Sequence, residues 1–148
     1  MNMKRFFANM SLMIALAVAS VSCERAEGLQ SRPSDWTVPS NLHYSDMTVT
    51  IDRRTLPPAV TVSQYDLLGA FIDGQCRGVA EPVADIDGQV RFYLVIHSLT
   101  TDSGRDNMQV ELRYYSDIRR DIYYARPFGF VYESSLGTMD EPYAPQWK

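Results

Sequence analysis

From Gln89 onward the chain alternates apolar with polar. Val90, Phe92, Leu94 and Ile96 fall on one face, and Arg91, Tyr93, Val95 and His97 on the other. This period of two is the mark of a strand with one face buried. After a polar stretch from Thr100 to Asn107, in which Gly104 is free to turn, the alternation resumes. Met108, Val110, Leu112 and Tyr114 take the apolar side, opposite Gln109, Glu111, Arg113 and Tyr115. The spacing therefore predicts a hairpin from Gln89 to Ser116. Met47 to Ile51 alternates in the same way. Leu67 to Ile72 has no polar side chain, which predicts a strand covered on both faces or nearly so. Ala59–Val62 is expected as a short strand after Pro57-Pro58, since proline cannot donate to a ladder. Ile122–Ala125 and Phe128–Glu133 are expected as the last two, separated by Arg126-Pro127, and Pro142 and Pro145 keep the tail extended. Beyond the first two dozen residues, no window carries apolar residues at helical spacing through three turns.

The middle of the chain repeats a phrase. Ile-Asp-Gly-Gln-x-Arg occurs at Ile72–Arg77 and again at Ile86–Arg91. Asp-Gly between extended residues predicts a type I′ turn in each copy, because glycine meets the positive φ at little steric cost. The stretch from Asp66 to Phe92 should then be three strands joined by two tight turns, with Pro82 closing the second strand. Gly69 and Gly78, inside strands, predict a bulge or the close approach of a neighbouring group. About seven or eight short strands with a turn signal every ten residues or so point to an all-β fold. The expected form is an antiparallel β-sandwich, immunoglobulin-like or jelly-roll-like; a small closed barrel is the alternative.

The N-terminus reads as a targeting segment. Lys4 and Arg5 are followed by an apolar run from Ser11 to Val18 that is too short to span a bilayer. Ser20-Val21-Ser22-Cys23 resembles the lipobox of bacterial lipoproteins, with Ser20 where that pattern usually has leucine. The resemblance implies cleavage before Cys23, lipid on its sulfur and amino group, and an envelope address. Glu24 stands where aspartate would be the usual inner-membrane retention signal, so the outer membrane is the expected destination, and Glu24 with Glu27 resembles surface-export signals. The organisation expected is a leader over 1–22, a lipidated Cys23 with a flexible tether over 23–35, and one domain over 36–148. Acyl chains would supply the membrane attachment, each buried methylene contributing roughly 0.8 kcal/mol.

Loss of Lys4 and Arg5 with the leader makes the charge two units more negative than the −4 of the whole chain. An acidic domain argues against a nucleic-acid partner, because no cluster of basic residues would release counterions.

A wider resemblance rests on Met47-x-Val-Thr, Leu68-Gly-Ala-Phe71, Gly74-x-Cys-Arg-Gly-x-Ala80 and Phe92-x-Leu-x-Ile96. Together these resemble a β-rich module that recurs in surface lipoproteins and secreted multidomain proteins of Gram-negative bacteria. The resemblance covers nearly all of the chain from Trp36. It implies no activity and no catalytic residues, and it leaves open a complete binder or a subunit.

Candidate chemistry is sparse. With Cys23 taken by lipid, Cys76 has no disulfide partner and reads as a small apolar side chain packed in a strand. Asp85-x-Asp87-Gly88 resembles a fragment of a calcium loop, but Val83 and Leu94 would occupy its ends, so the acids read as turn residues. His43 and His97 have no partner at zinc-ligand spacing. No Gly-x-Ser-x-Gly elbow, phosphate loop or His-Glu-x-x-His helix occurs. No catalytic residue, metal or cofactor is therefore expected. Tyr and Arg are the suggestive residues: there are nine tyrosines, and Lys148 is the only lysine after the leader. Both types are enriched at binding surfaces. Tyr114-Tyr115 and Tyr123-Tyr124 should each place one ring in the core and one outside. If the Gln89–Ser116 hairpin forms, its outer face presents Arg91, Tyr93 and His97 beside Glu111, Arg113 and Tyr115. That face is the expected binding site, for polysaccharide or an envelope protein. The function expected is a non-enzymatic surface binding module; an accessory subunit of an envelope complex is the alternative, and a hydrolase comes last.

Overall fold

The computed structural model describes residues 28–148 apart from Ala59. The leader, Cys23, Glu24, Glu27 and the start of the expected 59–62 strand lie outside the described residues. Among the described residues, nine strands form two sheets. They are β1 (Leu42–Asp52), β2 (Leu67–Ile72), β3 (Gln75–Ala80), β4 (Val83–Ala84), β5 (Val90–Leu99), β6 (Gln109–Ser116), β7 (Asp121–Tyr124), β8 (Phe128–Gly129) and β9 (Ser134–Leu136). Sheet I runs β4-β5-β1-β9 and sheet II runs β3-β2-β6-β7, with β8 paired to the far half of β6. The fold is all-β and the sheets do not close into a barrel, as a sandwich requires. One pairing departs from the antiparallel rule: β9 lies parallel to β1, Val49 opposite Leu136.

The alternation places the core. Met47, Val49, Ile51, Phe92, Leu94 and Ile96 face inward from sheet I. Leu68, Ala70, Ile72, Val110, Leu112 and Tyr114 meet them from sheet II. At roughly 1.5–3 kcal/mol for each large buried side chain, this cluster is the main source of stability. Tyr114 spans it, edge-on to Phe92 and to Trp147. Its hydroxyl donates to Asp66, a fully buried carboxylate that also accepts Ser63 N at 3.0 Å and Asp117 N at 2.7 Å.

The two copies of the repeated phrase turn differently. Asp73 and Gly74 have φ of 51° and 76°, the two-residue type I′ turn expected. In the second copy only Gly88 is positive, at 75°. Gly88 N donates to Asp85 O at 2.9 Å, and Asp85 N to Gln89 O at 2.9 Å. These bonds close a three-residue loop, Ile86–Gly88, in which glycine ends a type I turn as a bulge. The difference follows from what the carboxylate holds. Asp87 accepts Gln89 N at 3.0 Å and grips Arg91, so Ile86 is pushed out as a loop residue while Ile72 stays in the core.

The expected Gln89–Ser116 hairpin does not form. β5 pairs with β1, His97 opposite Asp46, and β6 pairs with β2, Leu112 opposite Ala70. The inward faces were correctly read, but they look at each other across the core instead of lying side by side. The connection explains it: Leu99 N donates to Asp102 at 2.7 Å, and Asp102 is tied to Arg77 of β3, which carries the chain over the edge into the other sheet. Val60–Val62 form no strand; Val60 N turns back on Pro57 O. Of the strand expected over 128–133 only β8 forms; the chain turns at Glu133, whose φ is 53°, and β9 begins beyond it at Ser134.

Candidate functional site

The six residues expected on one binding face are on opposite sides of the molecule. Arg91, Tyr93 and His97 lie on the outside of sheet I, and Glu111, Arg113 and Tyr115 on the outside of sheet II.

On sheet I the charged groups are spent on each other. Arg91 is 4% exposed. Its guanidinium donates to Asp85 at 2.8 Å, to both oxygens of Asp87 at 2.9 and 2.7 Å, and to Met139 O at 3.2 Å. Tyr93 OH donates to Asp85. The bond from Arg91 holds the Asp87 carboxyl down to about 2, and the Tyr93 hydroxyl lowers Asp85 in the same direction. The two acids that resemble a calcium loop thus enclose a guanidinium. His97 Nδ1 is 3.2 Å from Asp46 Oδ2. What remains for a ligand here is the half-open face of Tyr93 and Val95.

Sheet II is different, because the N-terminal segment lies along it. Gln30 N donates to Arg120 O at 2.6 Å, Arg32 Nε to Tyr65 O at 3.1 Å, and Arg32 Nη2 to Glu81 at 2.7 Å. The expected tether over 23–35 is therefore bound to the domain from Gln30 on. It covers Tyr115, which is 1% exposed and whose hydroxyl points at Gln30 O at 3.4 Å. Tyr114 and Tyr115 are both buried, contrary to the expected one-in, one-out division; in the second pair Tyr123 is half-buried and Tyr124 exposed.

Further along, Trp36 sits on Gly69. A Cβ at Gly69 would stand 2.8 Å from the Trp36 ring and 2.8 Å from Phe71. The glycine thus provides the close approach that its place in a strand predicts. Trp36 meets Phe71 edge-on at 5.3 Å, and the Arg113 guanidinium lies over the Phe71 ring at 3.9 Å, with Tyr124 at 5.5 Å. Beside these rings is a hollow of about 400 Å³ lined by Asp35–Pro39, Phe71, Gly74–Cys76 and Arg113.

Several side-chain polar groups of this hollow have no partner among the described residues. Arg113 donates through Nε to Glu111 at 2.9 Å and makes no other hydrogen bond among the described residues, so both terminal nitrogens are free. Neither the Asp35 carboxylate, the Gln75 amide nor the Trp36 indole N–H has a side-chain partner there. Stacking on Phe71 and the Glu111 bond fix the plane of the guanidinium, so its fork is held in place before any ligand arrives. Cys76, at the floor, is buried, and burial pushes its thiol up. It is packed, as expected, and at neutral pH it is the protonated thiol, not a nucleophile.

Of the six residues expected at the site, then, only Arg113 lines the hollow, with Glu111 bonded to it from outside the lining. Asp35, Trp36, Phe71 and Gln75 were missed. The signal was present in β2, where the outward positions Leu67, Gly69 and Phe71 are apolar on a face that solvent would otherwise meet. Among the described residues, no three His, Cys, Asp or Glu side chains are grouped to hold a metal ion. No family model, curated protein or solved structure matches this chain.

Proposed function

We propose that this protein is a non-enzymatic surface module, anchored to the outer membrane through lipid on Cys23, that binds a glycan or envelope protein in the Trp36–Phe71–Arg113 hollow. The observation that carries the reading is the set of unspent donors and acceptors beside a ring wall. Among the described residues, the buried arginines Arg77 and Arg91 have both terminal nitrogens bonded to carboxylates. Here a preorganised guanidinium keeps two nitrogens free, and leaving such groups unpaired is favourable only where water or a ligand meets them.

The path of the chain supports the address. The N-terminal segment meets the domain at Arg120, beside the start of β2, whereas Gly74 and Gln75 lie at its far end. A strand of this length spans roughly 20 Å. A lipid at Cys23 would hold the Arg120 end toward the membrane and turn the hollow away from it. That orientation suits a receptor for something outside.

The test blocks the hollow without touching the core. Gln75 is exposed, so Gln75→Arg should fold normally and fill the space. Envelope proteins cross-linked to the protein in cells, and polysaccharides that retain it, should both be compared with wild type. Loss of a ligand in the blocked variant supports the reading. Identical capture by both proteins removes the hollow as the site and favours an accessory subunit that binds through another surface.

A further inference from the structure

Resting on the reading of the hollow as a binding site, we propose that its ligand is a neutral pyranose unit of a polysaccharide rather than an anionic sugar or peptide. The argument is one of matching chemistry. Neighbouring hydroxyls on a sugar ring donate and accept at once. Only a site holding both kinds of group can satisfy them. The hollow offers free donors at the Arg113 terminal nitrogens, a free acceptor in the Asp35 carboxylate, and one of each in the Gln75 amide. The half-buried ring of Trp36, in the lining of the hollow, gives the apolar C–H face of the sugar a surface to lie against.

Charge decides between sugar classes. A uronate or sulfated unit would gain the fork of Arg113 but would meet Asp35 in the hollow and Glu111 bonded to the same guanidinium. One cation against two carboxylates does not favour an anion. A neutral ring uses the cation as donor and Asp35 as acceptor with no such opposition. The volume of about 400 Å³ lies in the range of small-ligand sites, roughly 300–1,000 Å³.

The experiment is affinity electrophoresis of the protein through gels containing neutral polysaccharides (starch, galactomannan, xyloglucan, mixed-linkage β-glucan) and anionic ones (polygalacturonate, heparin). At least one neutral gel should retard it and neither anionic gel should. Asp35→Asn, on an exposed residue, and Arg113→Lys, which keeps the charge but loses the fork, should each weaken retardation about tenfold, the worth of one charge-assisted hydrogen bond. Gln75→Arg should abolish it. Retardation by anionic gels alone, lost in Gln75→Arg, overturns the ligand class and leaves the hollow as a binding site. No retardation in any neutral gel overturns the ligand class also. Retardation unchanged in all three variants overturns both the ligand class and the site.

Discussion

Arg77 and Asp102 form a two-point ion pair at the seam where β3 meets the end of β5, with side chains 3% and 1% exposed. Arg77 Nη1 also reaches His97 O at 3.3 Å, and Asp102 also accepts from Arg105, which in turn holds Asp73 of the first Asp-Gly turn. In the second copy of the repeated phrase the arginine grips its own aspartate, Asp87. In the first, the same two positions are linked through Asp102 and Arg105. Both arginines of the repeat are thus buried anchors of the turn behind them.

Removing one partner should therefore be worse than removing both. Asp102→Ala leaves a buried guanidinium uncompensated and is expected to cost about 3–5 kcal/mol, whereas Arg77→Met with Asp102→Leu should recover most of that loss. Chemical denaturation of the three proteins checks it; a double variant no more stable than the single one would contradict the account.

The acid limb of stability follows from the same groups. Arg77 holds Asp102 below the ordinary carboxylate range, and Arg91 holds Asp87 down to about 2. A lowered folded-state value means stability that is complete above the unfolded value, near pH 4, and lost as pH falls through the folded one. Melting temperature should therefore hold from neutral pH to about 4 and fall between about 4 and 2. Asp87→Asn should flatten that fall. An unchanged acid limb in the variant would show that the Arg91 network does not couple to unfolding.

The glycines separate strain from crowding. Gly74 and Gly88 have positive φ and open space where a Cβ would be, so replacement by Ala should cost only the backbone term, about 1 kcal/mol each. At Gly78 a Cβ would stand 2.0 Å from the Val95 carbonyl oxygen, and that neighbour is backbone. Gly78→Ala should cost more than about 3 kcal/mol, above the usual range of overpacking, because the two sheets must part to admit it. Thermal melts that rank Gly74→Ala as the more damaging would overturn the β3–β5 contact.

These residues also show how far the sequence could be read. Alternation is local, so β1, β2, β5 and β6 and the inward set from Met47 to Tyr114 were legible. Which strand lies beside which is not local. It was decided by Asp102 reaching Arg77, a contact between a polar loop and a strand residue 25 positions away. The hollow was hidden for the same reason. Tyr115 and Arg113 have the outward phase expected of surface residues, and only the segment around Gln30 and Trp36, which carries no periodic pattern, turns one into core and the other into the wall of a hollow.

The anchor is tested apart from the domain. Cys23→Ala should move the protein from the detergent phase to the aqueous phase on membrane fractionation, since the proposed acyl attachment is the contribution lost. Its melting temperature should not change, because among the described residues the hydrogen bonds of the N-terminal segment to the domain start at Gln30. Equal partitioning of both proteins would sink the lipid assignment.

Trp36 should control access to Cys76. The thiol is 5% exposed on the floor of the hollow, beside the segment that Trp36 pins to Gly69 and Phe71. Burial raises its pKa, so in the native protein both the thiolate fraction and the approach of a reagent are low. Trp36→Ala removes the ring contact that holds residues 35–39 against the sheet, while the inward core of β2 and β6 is left intact. Native labelling by a thiol reagent should then become at least about tenfold faster, as a local opening of the N-terminal segment replaces global unfolding as the route to the thiol. The denatured proteins should react equally fast, since the thiol itself is unchanged. A polysaccharide bound in the hollow should slow labelling of the wild type. If Trp36→Ala labels no faster than wild type at equal stability, the segment does not gate the hollow, and Cys76 is reached only by unfolding of the sandwich itself.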